Sequence, residues 1–347
     1  MVLANGDIVP GSVYLYQPVK WAPPMFAAWF AVATIAHVWQ CIRYKAWKIT
    51  GLHPLCGLLF TAGFAVRSYG AFYYEDIGAY LASTILIYCA PPILELANYH
   101  VLGRILYYVP YHSPLHPGRT LTTFGAISSI VEVLNAIGVS WLANPNVLET
   151  YANLGHIFMK VALVLQVGVI LFFCMIAGMF HTRCMNGGIR SRKVQGPLFT
   201  LYISMTLILT RTIYRIVEHF GFSHIPQNPS QDWDPMALSP IIRYEWFFWV
   251  FEASLMLVNT VLWNYRHPRH YLPEDYHIYL AQDGQTELQG SGWKDDMPWI
   301  MTFIDPCGLT TSLTGGARRT ERPFWESNGY ETSEIAQRHR GDVGVKA

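Results

Sequence analysis

The stretch Leu209–Gly221 holds the residues most able to do chemistry: Arg211, Tyr214, Arg215 and Glu218. Spacings of four and three place the two arginines and the glutamate on one face of a helix, with Tyr214 at its border. Two guanidiniums and a carboxylate on one face could grip a charged head group through charge-assisted hydrogen bonds. Further ionisable residues lie in apolar surroundings. Arg67 and Lys160 complete a set of four bases, Glu95, Glu132, Glu218 and Glu252 form a set of four acids, and Glu245 stands at the margin of the last apolar run. Each such group at the centre of a membrane span costs about 2.5–3.5 kcal/mol, so each needs a partner or a route to water. Lys160, and partly Arg67, can snorkel to an interface; Glu132 and Glu252 fall mid-run and are too short to reach one. The expectation is internal pairing around a polar cavity that opens toward one side and is lined by both signs of charge. The alternative is a network that only ties helices together.

Those side chains need a scaffold, and composition names its class. Of 347 residues, 52% are hydrophobic and only 14% charged, against about 25% charged in soluble domains. Seven runs are long enough to cross a hydrocarbon core of about 30 Å: 22–42, 53–73, 77–99, 120–142, 154–180, 198–220 and 242–264. The sequence therefore predicts an all-α integral membrane protein, a bundle of seven transmembrane helices. Pro91-Pro92 should bend the third helix. Nothing before Trp21 reads as a cleavable signal, so the first run is expected to stay in the mature protein.

Lysine and arginine alternate between the connections. Arg43, Lys45, Lys48, Arg104, Arg119, Arg183, Arg190, Arg192, Lys193, Arg266 and Arg269 fall on one side, and only Lys20 and Arg243 on the other. Positive charge marks the cytoplasmic side, which puts the N-terminus outside and the C-terminus in the cytoplasm. The expected layout is a short extracellular N-terminus (1–21), a membrane domain (22–264) and a cytoplasmic tail (265–347). From Tyr271 that tail reads as largely disordered, with Trp293–Ile304 a candidate for local packing. All six cysteines fall in spans, inner loops or the tail, so no external disulfide is expected. Cys41 and Cys184 stand where S-acylation occurs, although plain thiols fit them better.

The motifs that would mark other functions are missing. There is no phosphate loop and hence no nucleotide hydrolysis. A net charge of +1 gives no field for nucleic acid. The pairs His112/His116 and His267/His270 are broken by prolines and are too few for a di-iron site, so neither metal nor cofactor is expected.

The run Arg211-x-x-Tyr214-Arg215-x-x-Glu218, then an outer loop, then Glu245-Trp246-Phe247-Phe248-x-Val250-Phe251-Glu252, resembles the fungal RTA-like family of lipid-translocating exporters. His267-Pro268 after the last span fits that family's ending. Tyr14, Tyr16, Pro18, Gly63, Arg67, Ala90-Pro91, Tyr99, Leu102-Gly103-Arg104, Gly138 and Gln166 extend the likeness over about 14–272. The resemblance implies seven spans, a plasma-membrane location and a role in resistance to amphiphilic toxins and in release of sphingoid bases. Four positions depart from it: Phe60 for an acid, Phe64 for a tyrosine, Ser128 for an aspartate and Asn135 for a glutamine. Glu95 and Glu132 are acids outside the family pattern, and the sequence reads as though the acids were relocated.

The leading expectation is a transporter-like protein, not an enzyme, that moves amphiphilic lipids or toxins. Its partners would be membrane lipids or amphiphilic small molecules with a zwitterionic or amine-bearing head. Arg67, Glu132, Arg211, Tyr214, Arg215, Glu218, Glu245 and Glu252 are the expected substrate-binding residues. A seven-span receptor or regulator of lipid asymmetry has the same topology; the rhodopsin-type motifs D/E-R-Y and N-P-x-x-Y are missing. A membrane-embedded cyclase or isomerase would use Glu95, Glu132 or Glu252 as a general acid.

Overall fold

The computed structural model describes residues 14, 18–73, 75–115, 117–142, 149–222 and 239–290. The N-terminal segment, His116, the loop carrying Asp232 and Asp234, and the tail from 291 with Trp293–Ile304 and Cys307 lie outside the described residues.

The apolar runs all fold as helices: α1 (Ala22–Arg43), α2 (Leu52–Gly70), α3 (Ile77–Tyr108), α4 (Pro117–Leu142), α5 (Glu149–Asn186) and α6 (Arg192–Phe222). The seventh, α7, is a helical path made of Trp246–Phe248, a π-helical turn Trp249–Ser254 and Leu255–Tyr265. Six of these are long and apolar enough to cross a membrane. α2, at 19 residues, is not among the six; it carries His53, Pro54, Arg67 and three glycines within that length. The chain is a mostly helical integral membrane protein.

Local chemistry fixes several ends. Asp76 caps α3, its carboxylate accepting from Gly78 N at 2.8 Å and Ala79 N at 3.2 Å. That helix continues through Pro91 and Pro92 and stops at Tyr108, one residue before Val109-Pro110. α5 closes on Gly187-Gly188, where Gly188 adopts φ +79° and Ile189 N reaches back to Cys184 O at 2.9 Å. α3, α5 and α6 outrun the runs read from the sequence by up to several turns, because the ends of a helix need not be apolar once they leave the bilayer.

The bundle is apolar outside, and within it buried polar groups are set into a largely apolar core. Trp29, Val32, Ile35 and Trp39 form an exposed stripe on α1, and Ile157, Val161, Val164 and Leu171 form another on α5. Such large apolar faces belong against lipid. Helices approach closely where side chains are smallest: a Cβ on Gly63 of α2 would stand 3.2 Å from Ile87 N, and one on Gly138 of α4 would stand 2.8 Å from Gly155 O. A polar seam joins α3, α6 and α7. Asn98 donates to Ser204 Oγ at 2.9 Å, Trp263 Nε1 donates to the same hydroxyl at 3.0 Å, and Asn259 donates to Ser204 O at 3.3 Å.

The tail is folded beyond the expected boundary. After a 3-10 turn at Pro268–His270, strands β1 (Ile278–Leu280) and β2 (Glu287–Gln289) pair antiparallel, Tyr279 opposite Leu288. The hairpin is seated on the end of α3. Arg104 donates to Asp275 O at 2.8 Å, Tyr108 to Glu287 Oε1 at 2.7 Å and Tyr111 to Ala281 O at 2.6 Å. The expectation of disorder from Tyr271 fails up to Gly290: a polar composition hid a segment that takes its order from the bundle, through these hydrogen bonds and through Leu272 and Leu280, which are buried in the bundle's apolar core. Cys41 and Cys184 are buried, which leaves the plain-thiol reading.

Candidate functional site

Helical spacing brings the α6 residues together as expected, and α7 supplies the counter-charge. Glu252 is 0% exposed and accepts three hydrogen bonds. Arg211 Nε reaches both its oxygens, at 3.0 and 2.8 Å, and Arg215 Nε reaches Oε2 at 2.7 Å. Glu252 sits in the π-helical turn, where Ser254 Oγ donates to Trp249 O at 2.7 Å. Such turns are frequent at functional sites because they re-aim side chains without ending the helix. On the other flank Arg215 donates from Nη1 to Glu218 and to the Tyr88 hydroxyl, with its guanidinium 4.0 Å from the centre of the Tyr88 ring. Tyr214 donates to Glu218 at 2.9 Å.

Arg67 forms a second group with Glu245, at 3.0 Å, and stacks against Phe248 at 4.2 Å. The other oxygen of Glu245 accepts the backbone N–H of Val19 at 2.8 Å, tying the approach to α1 to the start of α7. Three arginines, Arg67, Arg211 and Arg215, are thus matched by three glutamates, Glu245, Glu252 and Glu218. Lys160 lies over the Phe220 ring at 4.9 Å, apart from this network.

Two further acids stand outside the matched set. Glu95 is buried and accepts from Gln166 at 2.8 Å and Tyr99 at 3.2 Å, and Tyr99 also shares a hydrogen bond with Ser128 at 3.1 Å. It does not face lipid. Phe60, which stands where the family carries an acid, stacks on Phe30 of α1 at 4.5 Å. Glu132 is hydrogen-bonded to Asn135, and among the described residues it makes no ion pair.

Three cavities surround these groups. A chamber of about 70 Å³ is lined by Arg67, Arg215, Glu218, Tyr80, Tyr88 and Tyr214. A second, of about 60 Å³, is lined by Glu132, Asn135, Gln166, Arg211, Arg215 and His219. Each has room for a few waters and no more. The third is a groove of about 400 Å³ between α3 and α4, with Glu132, Asn135 and Tyr88 on its wall. Glu245 and Glu252, expected to touch substrate, line none of the three; their carboxylates are taken up by arginine.

Tyr88 lines all three cavities and is absent from the expected set. No spacing rule singles it out from the 21 tyrosines of the chain. Its place one turn before Pro91-Pro92 is the one local signal. Gln166 and Tyr99 were legible only as positions that extend the family likeness, with no role attached. Among the described residues no group of three or more His, Cys, Asp or Glu is arranged to hold a metal ion. His267 accepts the N–H of Arg269 at 3.2 Å, and His270 shares a hydrogen bond with Tyr44 at 3.2 Å.

Comparison with known proteins places this arrangement. The lipid-translocating exporter-like protein RTA1 of Leptosphaeria maculans is 46% identical over 315 residues, which is 88% of this chain and 60% of that protein. A protein of the same description from Ajellomyces capsulatus is 28% identical over 78% of this chain and 85% of its own length. The probable lipid transporter atnI of Emericella nidulans is 24% identical over 76% and 70%. The chain therefore spans about 60% of the length of the Leptosphaeria relative. No solved structure matches it. A family model described as RTA1 like protein matches residues 54–275, which take in both arginine–glutamate groups, the α3–α4 groove and the start of the tail. The chain belongs to that family.

Proposed function

We propose that this protein translocates a membrane amphiphile whose head group carries a positive or zwitterionic charge. The observation that carries the reading is the charge inventory of the core. Three arginines and three glutamates are paired with one another at low exposure, while Glu132, which shares the smaller chamber with Arg211 and Arg215, makes no ion pair among the described residues and lines the α3–α4 groove. A half-buried carboxylate within a membrane span that lacks a direct ion-pair partner is costly, and a cationic head relieves that cost. The relatives' names, lipid-translocating exporter and probable lipid transporter, support the same class.

In this reading Glu132 meets the head group. Arg211, Arg215, Glu218, Tyr214 and Arg67 form the charged walls past which it moves, and Glu245 and Glu252 hold those arginines in place. α2 counts as the seventh span: about 1.5 Å per residue over its 19 residues nearly matches the hydrocarbon core. The positive-charge alternation puts the N-terminus outside and the tail in the cytoplasm. The chain carries no phosphate loop, so movement runs down a gradient or is coupled to one. The plasma membrane is the proposed location.

The test is release of labelled long-chain base and phospholipid analogues from cells lacking the protein, rescued with wild type or Arg215→Ala at matched membrane abundance. Wild type restores release and Arg215→Ala does not. Lipid movement that never depends on the protein would remove the translocator reading.

A further inference from the structure

The α3–α4 groove differs from the two chambers in size, lining and exposure. At about 400 Å³ it falls within the range of ligand sites of about 300–1,000 Å³. Ile85, Cys89 and Ala136 on its walls are exposed on the outside of the bundle, so it opens sideways between α3 and α4. Its polar groups are Thr84 and Tyr88 on α3 and Glu132, Asn135 and Ser140 on α4, and the one acid among them is Glu132. Glu132 and Asn135 also line the 60 Å³ chamber, and Tyr88 lines both chambers. The groove and the charged interior are therefore neighbours: Tyr88 and Thr84 stand between the groove and the first chamber, Tyr88, Glu132 and Asn135 between it and the second, and the Tyr88 ring common to both boundaries is held by Arg215 through a hydrogen bond and a stacked guanidinium.

We propose that this groove is the lateral portal of the protein: it binds one alkyl chain of a bilayer amphiphile with the head on Glu132 and Asn135, and Tyr88 is the gate between portal and charged chambers. The inference rests on the translocator reading for its purpose, although the groove can bind an alkyl chain whether or not anything is transported. Three features commit it to a lipid chain. The lining surface is mostly apolar, the opening lies sideways between two helices, and the polar end holds an acid with no ion-pair partner among the described residues. Turning the Tyr88 ring would break one hydrogen bond and join spaces that are separately too small for a head group.

The test uses the full chain in nanodiscs and a long-chain alkylamine bearing a diazirine in its chain. Photolabel should appear in the peptides around Leu81–Cys89 and Glu132–Ser140. Ala136→Trp, which fills the groove from an exposed position, should lower that labelling about tenfold or more. Val32→Trp, a substitution at an exposed site on α1, should leave it unchanged. Tyr88→Phe keeps the ring but loses the hydroxyl that Arg215 holds. It should leave labelling intact and raise the translocation rate; an unchanged rate would remove Tyr88 from the gate. Labelling spread evenly over all helices, or insensitive to Ala136→Trp, overturns the portal. If transport is lost in Arg215→Ala yet survives Ala136→Trp with labelling unchanged, the portal fails and the translocator stands. If groove labelling is abolished by Ala136→Trp while lipid movement never depends on the protein, the site stands and the translocator fails.

Discussion

Glu252 and Glu132 are both carboxylates near the middle of a span, yet they have opposite surroundings. Glu252 is enclosed and accepts hydrogen bonds from two arginines. Removing one side of a buried pair leaves the other charge without compensation, which costs about 3–5 kcal/mol. Glu252→Ala should therefore lower the unfolding free energy in mixed micelles by about that amount. Glu132→Gln keeps a hydrogen-bonding partner for Asn135 and removes a charge that makes no direct ion pair among the described residues, so its cost should stay below about 1 kcal/mol. Equal losses for the two variants would sink the assignment of Glu252 to holding arginines and Glu132 to meeting substrate. The sequence showed which residues carried charge and which shared a face of α6, since helical spacing is local. It could not show the pairing, because Arg67 and Glu245 are 178 positions apart and only packing of α2 against the start of α7 joins them. Tyr88 was invisible for the same reason: its role comes from two neighbouring helices and one arginine.

At the scale of the helix, contact distances decide where α4 stands against α5, and hence how wide the groove on its other side is. Gly138 allows α4 to lie so close that an added Cβ would meet Gly155 O at 2.8 Å and Met159 Cγ at 2.6 Å. The carbonyl cannot move without shifting its helix. Gly138→Val should cost about 1–3 kcal/mol by overpacking, and because the displaced helix carries Glu132 it should also change labelling of the groove. A variant with wild-type stability and labelling would show that the contact is not what fixes α4. Helix existence was plain from apolar length, and six helices meet that criterion in the structure. Helix ends were less legible. α5 continues to Asn186 through His181, Thr182 and Arg183, whose polarity resembles that of a loop, whereas α3 continues to Tyr108 past His100 and Arg104 on residues that are otherwise largely apolar. The π-helical turn had no sequence signal, since one extra residue in a turn alters neither composition nor period enough to be seen.

Across the whole molecule, the hairpin shows that the folded body extends past the last span. Its strands are three residues each, too short for an alternating pattern to register. The available signal was Asp283-Gly284, a pair favoured in hairpin turns, with Gly284 at φ +71° and the Asp283 carboxylate accepting from Gln285 N and Thr286 N, both at 2.9 Å. Docking depends on Glu287, which receives Tyr108 at 2.7 Å and Lys193 Nζ at 2.9 Å. Partial burial pushes its carboxyl up, but hydrogen bonds from Lys193 and Tyr108 outweigh that and hold it below the ordinary range. A carboxylate depressed in the docked state stabilises docking above its undocked pKa, and that contribution is lost as the pH falls through the docked value. The hairpin should therefore be seated at neutral pH and loosen in acid below the ordinary glutamate value of 4.5. Hydrogen exchange of Ile278–Gln289, corrected for the intrinsic pH dependence of exchange, should rise there in wild type. In Glu287→Gln it should already be raised at neutral pH and change little on acidification. The seat joins α3, whose other half forms one wall of the groove, to the start of α6, whose other half carries Arg211 and Arg215. A loosened hairpin with unchanged groove labelling would make the seat a local anchor, whereas labelling that follows docking would tie that end of the bundle to the portal through these two helices.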